Sequence, residues 1–519
     1  MAVRQVRPHL IVLGTRRPEL AARVSGVCGR ASLAAFGAGA GAFAAWATHR
    51  GLIDDSYITL SYARNLAEHG HWGLIASETA NSATSPLNVF LLAGSMRVVS
   101  PFGGASGAVV ALGLLTLLLG ALLGWWLAQA TTRLGISRFW AAVGIAVVLA
   151  NPFVLSSLGL EVVLLSSLLG GLVAAGLRGR PVGFGVLSGL AVLARLDMII
   201  FVLAVALLAP LVRRRLLLVA AIATAVSLPW FAWSWWVLGS AIPDTFVIKT
   251  LQRSFEGRVY LSGLWTYYKP MNAVAVWVHV VPALVGLGVA VALAVRWVRR
   301  PASREHGALL GLAFGSVVYY AAYSVIGAPP YQWYYVPPQV ALALVGVLGG
   351  GLLLRDAASP QLQPAVALGV LVLAPLGLLA SLGGHSLPWP YPPIFGNFAT
   401  PADYRAVGHW LAEAVGQERV AAPPEIGTLA FACECSIVDP FADPALMTPL
   451  ISQRVEQAGP LMRWLLRVNY ARRDTSAEPD PVAYRLLWVK ATDPAKTAGP
   501  SWPTNSPLLG PGWLVLHDA

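Results

Sequence analysis

The feature that most constrains this chain is a series of long apolar stretches that recurs from residue 31 to residue 383. A helix needs about 20 mostly apolar residues to cross the hydrocarbon core of a bilayer. Only 12% of the 519 residues are charged, whereas soluble domains carry about 25%. Because charge within a bilayer is costly and lipid-facing surface can be apolar, the pattern predicts a mainly α-helical, polytopic membrane protein. It excludes an ordinary soluble one.

The arginines indicate how the apolar stretches are oriented. The net charge is +12, and a basic balance also occurs in proteins that bind nucleic acid. Here the arginines lie in short loops between apolar stretches, as is typical of cytoplasmic loops. These clusters are Arg133 and Arg138, Arg178 and Arg180, residues 213–215, and Arg296, Arg299 and Arg300. We therefore predict a lipid bilayer as partner and no nucleic acid.

About 11 crossings follow when every arginine cluster is placed in the cytoplasm. The predicted spans are 31–48, 106–130, 139–158, 160–177, 182–194, 197–212, 216–238, 273–295, 307–326, 338–354 and 363–383. The stretch 86–99 is one too many for this alternation. Either it is interfacial or re-entrant, or the placement of Arg133 and Arg138 is wrong.

Three parts are expected along the chain. Residues 1–30 hold six arginines and one acid, which predicts a cytoplasmic N-terminus ahead of the membrane domain at 31–383. Residues 384–519 are predicted to form a small extracytoplasmic α/β domain, with an amphipathic helix at 401–414, on the outer face of the plasma membrane. Cys433 and Cys435 lie in this domain, where a disulfide is permitted. A bridge across one residue is tight, so the sequence leaves the pairing open.

The first outer loop, residues 49–85, is the most informative stretch. Asp54 and Asp55 follow the first span directly, and residues 56–69 are typical of a helix near the interface. Adjacent carboxylates at a membrane surface are costly unless something uses them. Helix capping is the alternative, and it explains one aspartate more easily than two. A carboxylate here could deprotonate an acceptor hydroxyl or act at an anomeric centre.

The motifs of this loop resemble those of a known enzyme class. They are Asp54-Asp55, Tyr62-Ala63-Arg64-Asn65-Leu66, Gly70 and Gly73, and Thr84-Ser85-Pro86-Leu87. The run is similar to the first outer loop of GT-C superfamily glycosyltransferases, and more narrowly to actinobacterial AftB-like terminal arabinofuranosyltransferases. Ser61 and Asn88 depart from the family's usual residues. The resemblance implies a GT-C membrane bundle and a lipid-linked sugar donor.

Further motifs resemble the same family in the same order along the chain. They are Leu158-Gly159-Leu160-Glu161, Ala194-Arg195-Leu196-Asp197, the run from Gly239 to Lys249, the run from Tyr331 to Pro337, Glu425-Ile426-Gly427-Thr428, and Val438-Asp439-Pro440. The resemblance implies three catalytic acids, Asp54, Asp55 and Glu161, and two contacts to the donor phosphate, Arg195 and Lys249. Sugar or acceptor contacts would come from Tyr62, Asp197, Asp244, Trp333 and Tyr334.

Each of these motifs also has a plainer interpretation. Glu161 is alternatively a residue snorkelling at a helix end, and Arg195 and Asp197 could simply pair with each other at a junction of short helices. Lys249 could be a solvated loop residue, and the tyrosines and Trp333 an aromatic belt at the interface. The functional interpretation requires that the outer ends of separate segments meet at one pocket.

By resemblance, the donor is decaprenyl-phosphoryl-arabinofuranose and the acceptor is a cell-envelope glycan such as an arabinan. A polyprenyl-phosphate-mannose donor is the alternative within the class. A lipid or sugar transporter and an inactive envelope scaffold are the alternatives outside it. Transporters usually carry polar residues near the midplane and often internal repeats, and no repeat is evident here. No cofactor is expected, no Cys/His spacing resembles a zinc site, and a divalent cation is left open.

Overall fold

The computed structural model describes residues 17–76, 78–100, 107–252, 254–255, 257–299, 306–357, 362–416, 418–441, 443–474, 476 and 481–519. Residues 1–16 of the predicted N-terminal segment, and Arg300, lie outside this set. The membrane part contains helices α1 (Arg17–Thr48), α2 (Asp54–His69), α3 (Pro86–Val99), α4 (Gly107–Leu134), α5 (Phe139–Leu149), α6 (Pro152–Ser156), α7 (Val162–Arg178), α8 (Pro181–Ala194), α9 (Ile199–Leu208), α10 (Pro210–Arg213), α11 (Leu216–Val237), α12 (Thr245–Leu251), α13 (Tyr260–Gly263), α14 (Lys269–Met271), α15 (Ala273–Arg299), α16 (Gly307–Val325), α17 (Gln332–Ala357) and α18 (Leu362–Ser381).

Seven of the described helices are long and apolar enough to span a bilayer, and five shorter apolar helices lie among them. The seven are α1, α4, α11, α15, α16, α17 and α18. The twelve coincide with the eleven predicted spans and the stretch 86–99. The mainly helical, polytopic fold predicted from the sequence is confirmed.

The packing of α1 on α4 resolves the surplus stretch at 86–99. A methyl group placed on Gly37 would lie 2.1 Å from the carbonyl oxygen of Gly120, and one on Gly124 would lie 2.3 Å from that of Leu33. These two helices therefore approach at their backbones and run antiparallel. Since α4 starts beside the end of α1, the part of the chain between them, which contains α3, begins and ends at the same end of the bundle. The stretch 86–99 therefore adds no net crossing.

The arginines that define the predicted inner side meet at one end of the bundle. Arg133 at the end of α4 donates to the carbonyl oxygen of Leu177, near the end of α7, at 3.2 Å. Arg355 of α17 donates to the carbonyl of Leu134, and Arg296 of α15 pairs with Asp356. Charged residues thus gather at this arginine end, as the sequence predicted. Its cytoplasmic placement stays a prediction.

The C-terminal domain packs on the opposite end. It contains α19 (Pro401–Val415), β1 (Val420–Ala421), α20 (Gly427–Cys433), α21 (Pro444–Gln457), α22 (Pro460–Asn469), β2 (Tyr484–Lys490), β3 (Ser501–Ser506) and β4 (Gly510–Asp518). The four strands form one sheet in the order β1-β2-β4-β3, with β1 parallel to β2 and the other pairs antiparallel. The small α/β architecture agrees with the prediction, and the amphipathic helix predicted at 401–414 is α19.

The domain is fixed to the membrane part through α2 and α20. Gly427 at the start of α20 lies so close to α2 that an added methyl group would be 2.1 Å from the carbonyl oxygen of Asp54. At the other end of α20, Glu434 forms an ion pair with Arg64, whose guanidinium lies 4.4 Å from the centre of the Phe431 ring. Cys433 and Cys435, whose pairing the sequence left open, form a disulfide.

Candidate functional site

The site is organised by the contact between the start of α2 and the loop before α7. Ser56 donates a hydrogen bond to the carbonyl oxygen of Leu158 at 2.8 Å. Gly159 has φ +103°, which L side chains rarely adopt, and a methyl group there would lie 2.6 Å from Cβ of Ser56. This motif therefore needs glycine for close approach. The contact brings Glu161, two residues later, beside the first turn of α2.

Asp55 is the carboxylate that this arrangement leaves available. Its carboxylate accepts a hydrogen bond from its own backbone N–H, and among the described residues no other group donates to it. Burial raises the pKa of Asp55 to about 6, although the ammonium of Lys249 lowers it, and the charges of Asp54 and Glu161 raise it further. Such a group exchanges protons near neutral pH, as general bases do.

Lys249 lies on α12 and contacts a wall of aromatic rings. Its ammonium is 5.1 Å from the centre of the Tyr331 ring, 5.7 Å from that of Trp333 and 5.8 Å from that of Tyr334. In the described part of the chain, no carboxylate lies within ion-pair distance of it. Lys249 is thus a partly buried cation held by ring faces. Its charge acts on Asp55.

Glu161, Arg195 and Asp197 form a buried ion network next to this pair. The guanidinium of Arg195 donates to Glu161 at 3.0 Å and to both carboxylate oxygens of Asp197 at 3.1 Å. It also lies 5.0 Å from the centre of the Tyr334 ring. Tyr319 and Tyr323 donate to Asp197. The pairing of Arg195 with Asp197, foreseen as the plainer interpretation, is present, and the donors of Arg195 are largely occupied.

The acid pocket, as we name this cluster, combines groups from five separate segments of the chain. Its members are Asp55, Glu161, Arg195, Asp197, Lys249, Tyr331, Trp333 and Tyr334. Seven of them were proposed from the sequence, and Tyr331 was part of a motif without an assigned role. The expectation that acids and bases from distant segments meet at one end of the bundle is met for this set.

Asp54 points elsewhere, into the C-terminal domain. Its two carboxylate oxygens accept the backbone N–H groups of Gly427 at 2.9 Å and Thr428 at 2.7 Å. Burial raises the pKa of Asp54, while these N–H groups lower it. The carboxylate caps the first turn of α20, which is the capping alternative considered for one of the two aspartates.

Glu425 is a second buried acid beside Asp54 that the sequence did not single out for chemistry. It accepts hydrogen bonds from the Tyr404 hydroxyl and from the Phe398 N–H at 2.8 Å. Burial raises its pKa to about 8, and the charge of Asp54 adds to the rise. The sequence indicated a role for Glu425 only through its position in the Glu425-Ile426-Gly427-Thr428 motif. In the structure, this motif contacts the start of α2, because Gly427 and Thr428 donate to Asp54.

Tyr62 serves the same docking contact further along α2. Its hydroxyl lies 2.8 Å from that of Ser82, and Ser82 donates to Asp439 at 2.7 Å. Burial raises the pKa of Asp439 to about 6, against the lowering by the hydrogen bond from Ser82. Tyr62 therefore joins α2, the first outer loop and the C-terminal domain.

Asp244 also contacts the C-terminal domain, as Asp54 and Tyr62 do. It is 2% exposed, pairs with Arg473 and accepts a hydrogen bond from Ser240 at 3.2 Å. Burial raises its pKa, and the Arg473 guanidinium lowers it. We call the contacts of Asp54, Tyr62 and Asp244 with the C-terminal domain the docking interface. Arg473, like Asp439, was not foreseen as a partner, because no local pattern links it to a residue 229 positions away.

Two cavities in the described part of the chain lie outside the acid pocket. One, of about 560 Å³, lies at the end of α2 and is walled by aromatic side chains that include Trp72, Phe90, Trp230 and Trp233. The other, of about 620 Å³, is an apolar groove between α3, α4, α7 and α8. No described group of three or more His, Cys, Asp or Glu residues is arranged to hold a metal ion. Independence from a cation stays a prediction.

Comparisons with known proteins bear on the fold. No protein-family model and no curated protein sequence matched the chain. The solved structures of ArnT from Cupriavidus metallidurans are similar over 96% of this chain and 98% of theirs. The apo form has a TM-score of 0.52 at 13% identity, and the form bound to undecaprenyl phosphate has 0.50 at 14%.

A second similar structure is an archaeal oligosaccharyltransferase. AglB from Archaeoglobus fulgidus, in complex with an inhibitory peptide and a dolichol-phosphate, has a TM-score of 0.53 at 11% identity, over 84% of this chain and 65% of AglB. At such low identity these likenesses speak for the fold alone. The helical bundle with its loop helix and C-terminal domain therefore has the fold of ArnT and AglB, which agrees with the membrane bundle that the resemblance in the sequence implied.

Proposed function

We propose that the chain is a glycosyltransferase that takes a sugar from a polyprenyl-phosphate donor at the end of the bundle that carries the C-terminal domain. Two similar structures were solved with a polyprenyl or dolichol phosphate bound, which supports a lipid-linked donor. The observation that carries the proposal is that Asp55, whose pKa burial raises to about 6, lies in the same cluster as the partly buried cation Lys249, whose charge lowers that pKa. In such a reaction a cation can stabilise the anionic leaving group, and a carboxylate can take the proton that the weakly acidic acceptor hydroxyl must lose.

Lys249 is assigned to the donor phosphate. As the bond between the anomeric carbon and the phosphate oxygen breaks, the polyprenyl phosphate leaves with an additional negative charge. An ammonium held on ring faces stabilises that charge better than a fully hydrated one, because the low local dielectric strengthens the attraction. Arg195 was also predicted to contact the phosphate. Since it already binds two carboxylates, we assign it instead to positioning Glu161 and Tyr334.

Asp55 is assigned to the acceptor or to the anomeric carbon. In an inverting transfer, the acceptor oxygen bonds to the anomeric carbon and its proton passes to Asp55. In a retaining transfer, such as the AftB-like resemblance implies, a double displacement or a front-face route is needed. In both cases the carboxylate must be ionised. Asp54, which caps α20, positions Asp55 and does not react.

The finer assignment of the sugar rests on the sequence motifs. The resemblance to AftB-like enzymes in the first outer loop favours decaprenyl-phosphoryl-arabinofuranose as donor and a cell-envelope arabinan as acceptor. A polyprenyl-phosphate-mannose donor is the alternative. The aromatic rings of Trp333 and Tyr334 are suited to a sugar face, and we assign them, with Asp197 behind them, to the sugar-binding side of the acid pocket.

The test is a transfer assay with the purified full chain in lipid nanodiscs. Polyprenyl-phosphate arabinofuranose and polyprenyl-phosphate mannose are each offered with an arabinan and a mannan oligosaccharide, with and without a chelator. We expect transfer from the arabinose donor that Asp55→Asn removes. Transfer from mannose alone would assign the other donor. If neither donor supports transfer and the protein translocates lipid in proteoliposomes, the flippase alternative is favoured and the proposal is contradicted.

A further inference from the structure

An exposed apolar face on α22 stands out from the rest of the C-terminal domain. Its side chains follow the helical repeat at positions 461, 464, 465 and 468, and Met462 borders them. The exposed fractions are 71% for Leu461, 60% for Trp464, 44% for Leu465 and 46% for Val468. Side chains three and four residues apart lie on one face of a helix. This face is therefore a continuous apolar stripe.

Another amphipathic helix of the same domain shows what is unusual. In α19 the apolar side chains of Tyr404, Val407 and Leu411 are at most 1% exposed, because they pack into the domain. In α22 only Leu466 and Asn469 are buried. The apolar stripe of α22 therefore faces away from the domain, and only the opposite side of the helix packs against it. Surface patches of this kind mark sites of interaction with lipid or protein.

The position of α22 identifies what covers the stripe. Trp235, near the end of the span α11, donates a hydrogen bond to the carbonyl oxygen of Val468 at 2.8 Å. Arg472, just beyond α22, lies 3.7 Å from the centre of the Trp236 ring. Only 6% of the apolar window of α11 is buried by the protein, which is the exposure expected of a span that faces lipid. Tryptophan at the end of a span lies at headgroup depth, and α22 is attached there.

The end of α11 to which α22 is attached also exposes apolar side chains. Trp233, Trp236 and Val237 are 41%, 63% and 53% exposed, and they flank Trp235, which bonds to Val468 of α22. Arg467 on α22 is exposed as well, where a basic side chain can reach lipid phosphates while its stem lies on apolar surface. A helix with an apolar face, basic flanks and a tryptophan fits the plane of a lipid–water interface.

The orientation of α22 is fixed from the protein side. Arg463 donates to the carbonyl oxygens of Val455, Glu456 and Ala458 at 3.3, 3.0 and 3.1 Å. These bonds close the end of α21 and lock α22 to it. In turn, Asn469 accepts the N–H of Ile242 at 2.9 Å, in the loop that leads to α12. The stripe is therefore held outwards by a rigid support.

We propose that α22 lies in the lipid headgroup layer as an in-plane membrane helix, with Leu461, Trp464, Leu465 and Val468 inserted towards the acyl chains. The C-terminal domain, predicted from the sequence to lie on the outer face of the membrane, is then partly seated in the leaflet. This inference is independent of the transfer reaction. It requires only that α11 spans the bilayer.

Site-directed spin labels on the full chain in nanodiscs test it. Labels replace Leu461 or Trp464 in a Cys28→Ser background, with Glu413→Cys on the exposed side of α19 as the matched control. We expect labels at 461 and 464 to be accessible to oxygen, which concentrates in lipid, and shielded from a water-soluble nickel chelate by at least about fivefold relative to position 413. The ratio follows the lipid partitioning of apolar side chains.

Two results would overturn the proposal. Nickel accessibility at 461 and 464 equal to that at 413 would place the stripe in water. Low accessibility to both reagents would mean that protein, such as a second copy of this chain, covers it. A second variant guards against a label that perturbs the helix. Leu465→Glu, which keeps Arg463 and its bonds, should raise nickel accessibility at position 461 towards the value at 413.

Discussion

The docking interface and the acid pocket are built from the same kinds of residue, yet they differ in how their charges are satisfied. In the docking interface, Asp54 accepts two backbone N–H groups and Asp244 pairs with Arg473. In the described part of the acid pocket, Asp55 accepts a hydrogen bond only from its own backbone N–H, and Lys249 lies over aromatic rings with no carboxylate at ion-pair distance. Saturated charges hold a structure together, whereas unsaturated buried ones are costly and mark sites for ligands.

The neighbouring aspartates show how the two regions separate. Successive residues on a helix point about 100° apart, because one turn takes about 3.6 residues. At the start of α2, this rotation sends Asp54 towards α20 and Asp55 towards Glu161 and Lys249. Two residues that are equivalent in sequence thus serve different purposes. Four predictions test the distinction, from the largest expected effect to the smallest.

Asp55→Asn is expected to reduce kcat for sugar transfer about 1,000-fold, since proton transfer by a positioned side chain contributes about 10²–10⁴. Thermal stability should stay the same or rise slightly, because a buried carboxylate with a raised pKa is costly to keep ionised. Initial rates and thermal unfolding of the purified variant measure both. Glu413→Gln on the exposed side of α19 is the control. A fully active Asp55→Asn protein would show that Asp55 does not react, and the proposed difference between Asp55 and Asp54 would be wrong.

Arg473→Met is expected to lower the free energy of unfolding by about 3 kcal/mol, because it leaves Asp244 buried without its partner. Arg472→Met is the matched control. Its guanidinium lies over the rings of Trp235 and Trp236, and no ion pair of it is seen among the described residues, so its loss should cost about 0.5–1 kcal/mol. Thermal unfolding in detergent measures both.

The double variant Asp244→Asn with Arg473→Met sharpens this test. It removes both charges, so it should recover much of the stability that Arg473→Met loses. If Arg473→Met unfolds like the unmodified protein, the docking interface is not stabilised by its ion pair. The proposed contrast, in which the docking interface stabilises the fold and the acid pocket binds a ligand, would then be wrong for the docking interface.

Asp54→Asn is expected to lower stability by about 1–2 kcal/mol, since one of the two hydrogen bonds to α20 is lost and the other loses its charge. The rate per folded molecule should stay within about threefold of the unmodified protein, because capping does not enter the chemical step. The same pair of assays measures it. A folded Asp54→Asn protein as inactive as Asp55→Asn would move the chemistry to the docking interface.

The pH dependence gives the smallest and most specific effect. Asp55 must be ionised to act, and its pKa is about 6, so kcat/KM should fall as the pH falls through about 6. Lys249 lowers that pKa, and therefore Lys249→Gln should move the acidic limb to higher pH in addition to raising KM for the donor. Rate profiles between about pH 5 and pH 8 measure the shift.

Lys269→Gln is the control for this profile. Lys269 is exposed and lies over the Trp265 ring at 6.0 Å, and its charge is not among the causes of the Asp55 shift. Its profile should coincide with that of the unmodified protein. Coincidence of the Lys249→Gln profile as well would show that Lys249 does not act on the reacting carboxylate.

Much of the fold could be predicted, because membrane spans are encoded locally. Apolar length predicted where the spans lie, and the twelve apolar helices coincide with the eleven predicted spans and the stretch 86–99. The role of 86–99 stayed open, because it depends on the backbone contact of Gly37 with Gly120. That is a packing detail invisible in hydropathy. The outward face of α22 was missed for a similar reason, since its pattern is the same as that of a buried amphipathic helix.

The site was predictable in part, and what each residue does stays a prediction. Order along the chain and side of the membrane were enough to gather Asp55, Glu161 and Lys249. They could not separate Asp54 from Asp55, because the partners of Asp54, Gly427 and Thr428, are more than 370 residues away. The contact of α2 with α20 is a tertiary one. Only that contact shows that the carboxylate of Asp54 is occupied by hydrogen bonds to α20.

The most direct test of the account is a structure of the full chain with a polyprenyl phosphate bound in a nanodisc. We expect the phosphate within about 4 Å of the Lys249 ammonium, as a charge-assisted contact requires, with the carboxylate of Asp55 facing the side where the sugar would be attached. A phosphate bound among Asp54, Asp244 and Arg473, or at the arginine end, would contradict the account.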